Sequence, residues 1–202
     1  MIKKTGWVLF ASLSIIIGLY PVIYFIIDRR FGLLGLKPDA IISNAVWNTA
    51  FYLHIILGGL ALLIGWMQFS AGIRKRYLNL HRKMGKLYVL AVLMSSLAGI
   101  YIGFYAAGGW IPASGFICLG VVWFYSTLKA YTSIKNKQVV QHQKMMIYSY
   151  AACFAAVTLR IWLPLLQLVF NNFTTSYLIV AWLCWVPNLI VAYFIVKRLT
   201  RV

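Results

Sequence analysis

The sequence predicts an all-α polytopic membrane protein, a six-transmembrane-helix bundle with the N-terminus and the C-terminus both cytoplasmic. Three observations predict it. Of the 202 residues 63% are hydrophobic and 10% charged, whereas a soluble domain carries about 25% charged residues to meet water. Apolar runs near the length of a bilayer crossing recur along the whole chain. The 19 Lys and Arg, set against 2 Asp and Glu, collect in alternate loops, as the positive-inside rule requires of cytoplasmic segments.

A hydrocarbon core of roughly 30 Å needs about 20 helical residues at 1.5 Å each. Six stretches meet that need: 6–27, 46–73, 86–107, 112–133, 145–170 and 176–196. All are too long and too uniformly apolar for barrel strands, and backbone groups in lipid must bond within their own segment, so each is a helix. The first follows Lys3 and Lys4 as a secretory signal would. Its apolar stretch is long, however, and Asp28-Arg29-Arg30 stands where a small-residue cleavage site belongs, so it is expected to remain as an anchor. The third and fourth, joined by Gly108-Gly109-Trp110-Ile111, are expected to form an antiparallel hairpin. Pro164 and Pro187 are expected to interrupt the fifth and sixth. Paired interruptions of the transporter kind would need counterparts in the first half, which has only Pro21. The whole of 1–202 reads as one transmembrane domain.

Charge sets the orientation. Lys3 and Lys4, then Arg74, Lys75, Arg76, Arg82, Lys83 and Lys86, then Lys129, Lys135, Lys137 and Lys144, then Lys197, Arg198 and Arg201 occupy alternate segments. The first intervening loop holds Arg29, Arg30 and Lys37 with both acids, Asp28 and Asp39, and the other two hold no charge. The net charge of +17 is therefore a topological signal and not a nucleic-acid footprint. It points to a multi-pass protein of the cell inner/plasma membrane, with membrane lipids around it and no nucleic-acid partner. One basic residue, Arg160, belongs to no loop.

Residues three, four and seven apart share a helix face. In the second segment His54, Gly58, Ala61, Gly65, Gln68 and Gly72 follow that spacing. In the third, Ala91, Ser95, Gly99, Gly103 and Ala107 do, and the same face runs back through Tyr88 and Gly85 to His81. In the fifth, Ser149, Cys153, Ala156 and Arg160 do, reaching back past Met145 and Met146 to His142. Small residues at this spacing let membrane helices approach closely, so these three helices are expected to touch or to line one groove. His54 lies eight residues, roughly 12 Å, inside the outer end of its segment, and Arg160 fifteen residues, roughly 22 Å, from the inner end of its own. Both belong to the outer half. An intramembrane Arg costs at least about 2.5 kcal/mol on insertion scales and marks function by default. Gln68, His81 and His142 lie at the inner edge, the two His at or just before helix N-termini whose partial positive charge suits an anion.

Imidazoles in a nearly acid-free protein suggest haem b, whose iron takes neutral imidazole, or a quinone, whose carbonyl oxygens His and Arg can bind. His81 and His142 are the better iron-ligand pair, since their helix phases place them at one depth. His54, Gln68 and Arg160 would complete a cofactor-binding set between the second, third and fifth helices. The chain holds no HExxH, Walker loop, GxSxG or acidic pair, which removes the metalloprotease, ATPase, nucleophile-elbow and glycosidase chemistries. Cys118, Cys153 and Cys184 have no CxxC spacing and are expected to be packing residues.

The ordered motifs His54, Gly58, Gly65, Gln68-Phe69; His81-Arg82-x-x-Gly85-x-x-Tyr88; His142-x-x-Met145-Met146; and Ala155-Ala156-Val157-Thr158-Leu159-Arg160 resemble the predicted membrane proteins grouped as domain of unknown function 2306. The resemblance covers 46–164, flanked by the first and sixth helices. Tyr148 stands where that family usually carries an Arg shortly after the Met pair. The resemblance implies a bacterial-type integral membrane protein and supplies no reaction. The expected function is accordingly a small membrane redox or cofactor-binding protein holding haem b or quinone, with a redox or membrane-protein partner. The alternatives are a carrier or binder of an anionic amphiphile, anchored on Arg160 and the inner basic cluster, and an accessory subunit of a membrane complex.

Overall fold

A computed structural model describes residues 4–27 and 32–199. Lys3, Asp28, Arg29, Arg30 and Arg201 lie outside the described residues. Among those described there is no strand, and six helical stretches are long and apolar enough to cross a membrane: Lys4–Ile26, Ala45–Phe69, Leu78–Gly103, Trp110–Lys135, Val139–Phe170 and Phe173–Leu199. The predicted all-α membrane protein with six spans is what the chain forms. The third and fifth spans start eight and six residues before the apolar runs do. Hydropathy penalises Leu78–Lys86 and Val139–Lys144 for their charges, but a helix continues past the hydrocarbon into the interface at no cost to its backbone bonding.

Small hydroxyl residues share the interior with apolar side chains such as Leu62, Val92 and Val157. Ser14, Ser95, Ser96, Ser126, Thr127, Ser133, Ser149 and Ser176 are buried, while Ile26, Leu168 and Val169 are among the most exposed side chains. Lipid is as apolar as Leu, so nothing drives Leu inward, and small residues are what let helices pack. Two of these hydroxyls fold back on their own backbone, Ser14 onto the Phe10 carbonyl at 2.8 Å and Ser176 onto that of Asn172 at 2.8 Å.

The chain clusters into two compact units, Met1–Ser95 and Ser96–Val202. In the first, α1 (Lys4–Leu19) tightens into a 3-10 turn at Tyr20–Val22, where Pro21 can supply no N–H, and resumes as α2 (Ile23–Ile26). A further 3-10 turn, Gly32–Leu36, and a short α3 (Asp39–Ile42) lead to α4 (Ala45–Gly65), capped by Asn44, whose side chain accepts from the Trp47 N–H at 3.0 Å. The α1 and α4 backbones meet at two glycines. A Cβ on Gly59 would stand 2.6 Å from the Gly18 carbonyl oxygen, and one on Gly18 would stand 3.1 Å from that of Gly59. A 3-10 turn at Trp66–Phe69 closes the second span, Ser70 caps α5 (Ala71–Arg76), and α6 (Leu78–Gly103) follows.

The second unit begins within α6. Gly108 and Gly109, with φ of +87° and +83°, turn the chain into α7 (Trp110–Lys135) as only glycine does without strain. Then come α8 (Val139–Cys153) and α9 (Ala155–Phe170), which share the fifth span, and α10 (Phe173–Leu183) and α11 (Val186–Leu199), which share the sixth. The interruption of the sixth span falls beside Pro187, as expected. That of the fifth does not fall at Pro164, which lies inside α9, but ten residues earlier at Phe154. Asn188 braces the two interruptions: its amide donates to the Ala151 carbonyl at 3.3 Å, to Thr158 Oγ1 at 3.1 Å and to the Cys184 carbonyl at 3.0 Å. Thr158 also donates to the Cys184 carbonyl. Where helices break in a membrane the exposed carbonyls must find donors within the protein, and this amide and hydroxyl supply them.

Candidate functional site

In the first unit His54 of α4 meets Ser95 of α6. His54 Nδ1 lies 2.9 Å from the Ser95 carbonyl oxygen, and Ser95 Oγ donates to the His54 carbonyl at 2.9 Å. A carbonyl can only accept, so Nδ1 carries the proton and the lone pair of the neutral ring falls on Nε2. Ser95 is fully buried and His54 half-buried. The small-residue faces predicted on the second and third spans thus do come together at this point.

A second contact joins the same faces at the other end. Gln68, buried in the turn after α4, places Oε1 3.6 Å from where a Cβ on Gly85 would stand. A Cβ at position 85 would make ordinary van der Waals contact with that amide. Tyr88, fully buried, and His81, half-buried, continue the α6 face.

His81 and His142 occupy the same position in their helices. Each N–H makes the opening backbone bond of its helix, His81 to the Tyr77 carbonyl at 3.0 Å and His142 to that of Gln138 at 2.9 Å. They sit one turn inside α6 and α8, not before them. In the second unit His142 Nδ1 lies 2.9 Å from the Ala130 carbonyl of α7, the geometry that His54 has with Ser95. The ring is again held as the Nδ1–H tautomer, with Nε2 the basic nitrogen. Two turns further along α8 and one turn back along α7, the helices are joined by the buried 2.6 Å hydrogen bond between Thr127 and Ser149.

Arg160 is half-buried in α9, and its Nη1 donates to the Ala156 carbonyl at 2.8 Å. The guanidinium folds back one turn toward the helix start instead of reaching along α9 toward the nearer surface. Pro164, four residues on, has no N–H to give the Arg160 carbonyl. Of the sequence-predicted set, His54, Gln68 and His81 lie in the first unit, and His142 and Arg160 in the second. Among the described residues no group of three or more His, Cys, Asp or Glu is placed to hold a metal ion. A two-imidazole haem does not require such a group. Cys118, Cys153 and Cys184 are free thiols, the last two buried.

Three residues of consequence fall outside the stripes. Gly59 is the close-approach glycine of α4, next to the Gly58 that the spacing selects. Thr158 and Asn188 form the brace, and a lone amide one residue after Pro187 was the available signal for it. The family model of predicted membrane proteins DUF2306 matches residues 51–196, well over half of the chain. No curated protein and no solved structure matches.

Proposed function

The chain belongs to the DUF2306 family of predicted membrane proteins, and from that premise we propose that it is a small redox protein of the cell inner/plasma membrane that binds haem b or a quinone. The observation that carries this reading is the shared anchoring of two imidazoles. His54 and His142 each commit Nδ1–H to a main-chain carbonyl, that of Ser95 and that of Ala130. This is the bond by which proteins fix the tautomer and ring orientation of a metal-ligating histidine. The Nε2 so prepared on His142 suits ligation of haem iron or acceptance of a quinol hydroxyl proton. His81, the other imidazole that the sequence pattern pairs with iron, lies in the first unit and His142 in the second. Gln68 and Arg160 supply donors for quinone carbonyls or haem propionates. The group itself, when bound, supplies the one-electron chemistry that the side chains lack.

The test is the composition of full-length protein made in haem-replete, quinone-producing cells. The expected result is either a Soret band with stoichiometric iron or a quinone recovered on solvent extraction. For haem, His142→Ala should abolish the low-spin spectrum while helicity is retained. For quinone, the same variant should lower retention about ten-fold, the loss of one charge-neutral hydrogen bond. Protein with neither group overturns the reading. Retention of an anionic lipid instead, lost in Arg160→Ala, would replace it with the amphiphile carrier.

A further inference from the structure

The link between the second and third spans carries the densest charge of the chain. Arg74, Lys75 and Arg76 form the last turn of α5, and Arg82, Lys83 and Lys86 lie in the first turns of α6, all six exposed. The chain has no acid after Asp39, and Asp39 precedes α4, at the opposite end of that helix from α5. The segment therefore cannot neutralise itself. Arg82 and Lys86 stand one helical turn apart as like charges, a repelling arrangement. Three of the six are guanidiniums, whose planar donors match phosphate oxygens in pairs.

Between the cations stand exposed apolar side chains: Tyr77, Leu78, Leu80 and Leu87. Phe69 ends one membrane-crossing stretch and Leu78 begins the next, so α5 and the start of α6 sit at the level where the spans leave the hydrocarbon. A soluble polyanion would pair with the cations and leave four large apolar side chains in water. A leaflet with acidic headgroups accommodates both. We infer that residues 74–87 are a docking surface for anionic phospholipid, with the guanidinium and ammonium groups on headgroup phosphates and Tyr77, Leu78, Leu80 and Leu87 in the acyl boundary. None of these six basic and four apolar side chains belongs to the set proposed for the cofactor, of which only His81 falls within 74–87.

The test places full-length protein in nanodiscs of equal phosphatidylglycerol and phosphatidylcholine and counts retained lipids by native mass spectrometry. Wild type should keep phosphatidylglycerol over phosphatidylcholine by about ten-fold, the expected scale for several juxtamembrane cations acting together. The triple variant Arg74→Gln, Lys75→Gln, Arg76→Gln should lose most of that preference. A triple variant of equal charge change elsewhere, Lys135→Gln, Lys197→Gln, Arg198→Gln, should keep it. Equal retention of the two lipids by wild type overturns the inference, and so does an equal loss in both triple variants. Displacement of phosphatidylglycerol by millimolar inorganic phosphate would also overturn it, by assigning the cations to a free anion.

Discussion

His54 and Ser95 hold each other through two reciprocal hydrogen bonds, the imidazole Nδ1–H on the Ser95 carbonyl and the Ser95 hydroxyl on the His54 carbonyl, each at 2.9 Å. Ser95→Ala removes the second, together with the 3.2 Å contact of the hydroxyl with Nδ1, and keeps the first. It should lower stability by about 1 kcal/mol and leave the ring where it is. Thermal unfolding in detergent reads the first quantity. Nitrogen NMR of labelled histidine reads the other: in both wild type and variant His54 should show the Nδ1–H tautomer, and an Nε2–H ring would contradict the geometry.

At the crossing of α1 and α4, Gly59→Ala places a methyl 2.6 Å from the Gly18 carbonyl oxygen and 2.9 Å from Pro21 Cγ. The backbone cannot yield cheaply, so a loss of about 2 kcal/mol is expected from overpacking. Gly72→Ala is the control. The nearest atom to its new methyl is Ser70 Oγ at 3.7 Å, and the helix propensity of alanine should raise stability by up to about 1 kcal/mol. Opposite signs at two helical glycines, measured by chemical denaturation, would confirm the backbone contact.

Asn188→Leu withdraws the amide from the Ala151 and Cys184 carbonyls and from Thr158. Leaving those acceptors without a donor should cost about 1–3 kcal/mol. Thr158→Val should cost less. The double variant should fall short of the sum, because the two side chains serve the same carbonyl of Cys184. Simple additivity in a double-mutant cycle would count against a single brace.

Lys37, in the loop before α3, has its pKa lowered from 10.5 by burial. The folded protein then binds fewer protons than the unfolded chain between that lowered value and 10.5, so stability should rise with pH through this window. Below the folded pKa the full cost of burying the charged ammonium is present and constant. Lys37→Met should flatten the alkaline rise in a series of melting temperatures, and a wild-type profile that falls across the window would contradict the sign.

Each of these expectations rests on features of differing legibility in the sequence. The six spans were readable because about twenty consecutive apolar residues admit only one backbone solution in lipid. The contact of the α4 and α6 faces was readable because His54, Ser95, Gly85 and Gln68 obey helical spacing. The choice of Gly59 over Gly58 was not, since a Gly-Gly pair puts one glycine on each of two faces and only the neighbours decide which is used. The break at Phe154 has no Pro or Gly to announce it. It is stabilised from another helix, by Asn188, which no local pattern of α8 and α9 reveals. Helix starts at Leu78 and Val139 were obscured by the charges that hydropathy counts against them.

The folded-back guanidinium of Arg160 has an electrical consequence. Moving one elementary charge across a whole membrane is worth about 2.3 kcal/mol per 100 mV, and a cation held part-way through feels the corresponding fraction. Bonded to the Ala156 carbonyl, Arg160 keeps its charge deeper in that field than an arginine extended to the nearer surface would. Any displacement of that charge along the membrane normal would be coupled to the membrane voltage in proportion to the distance moved.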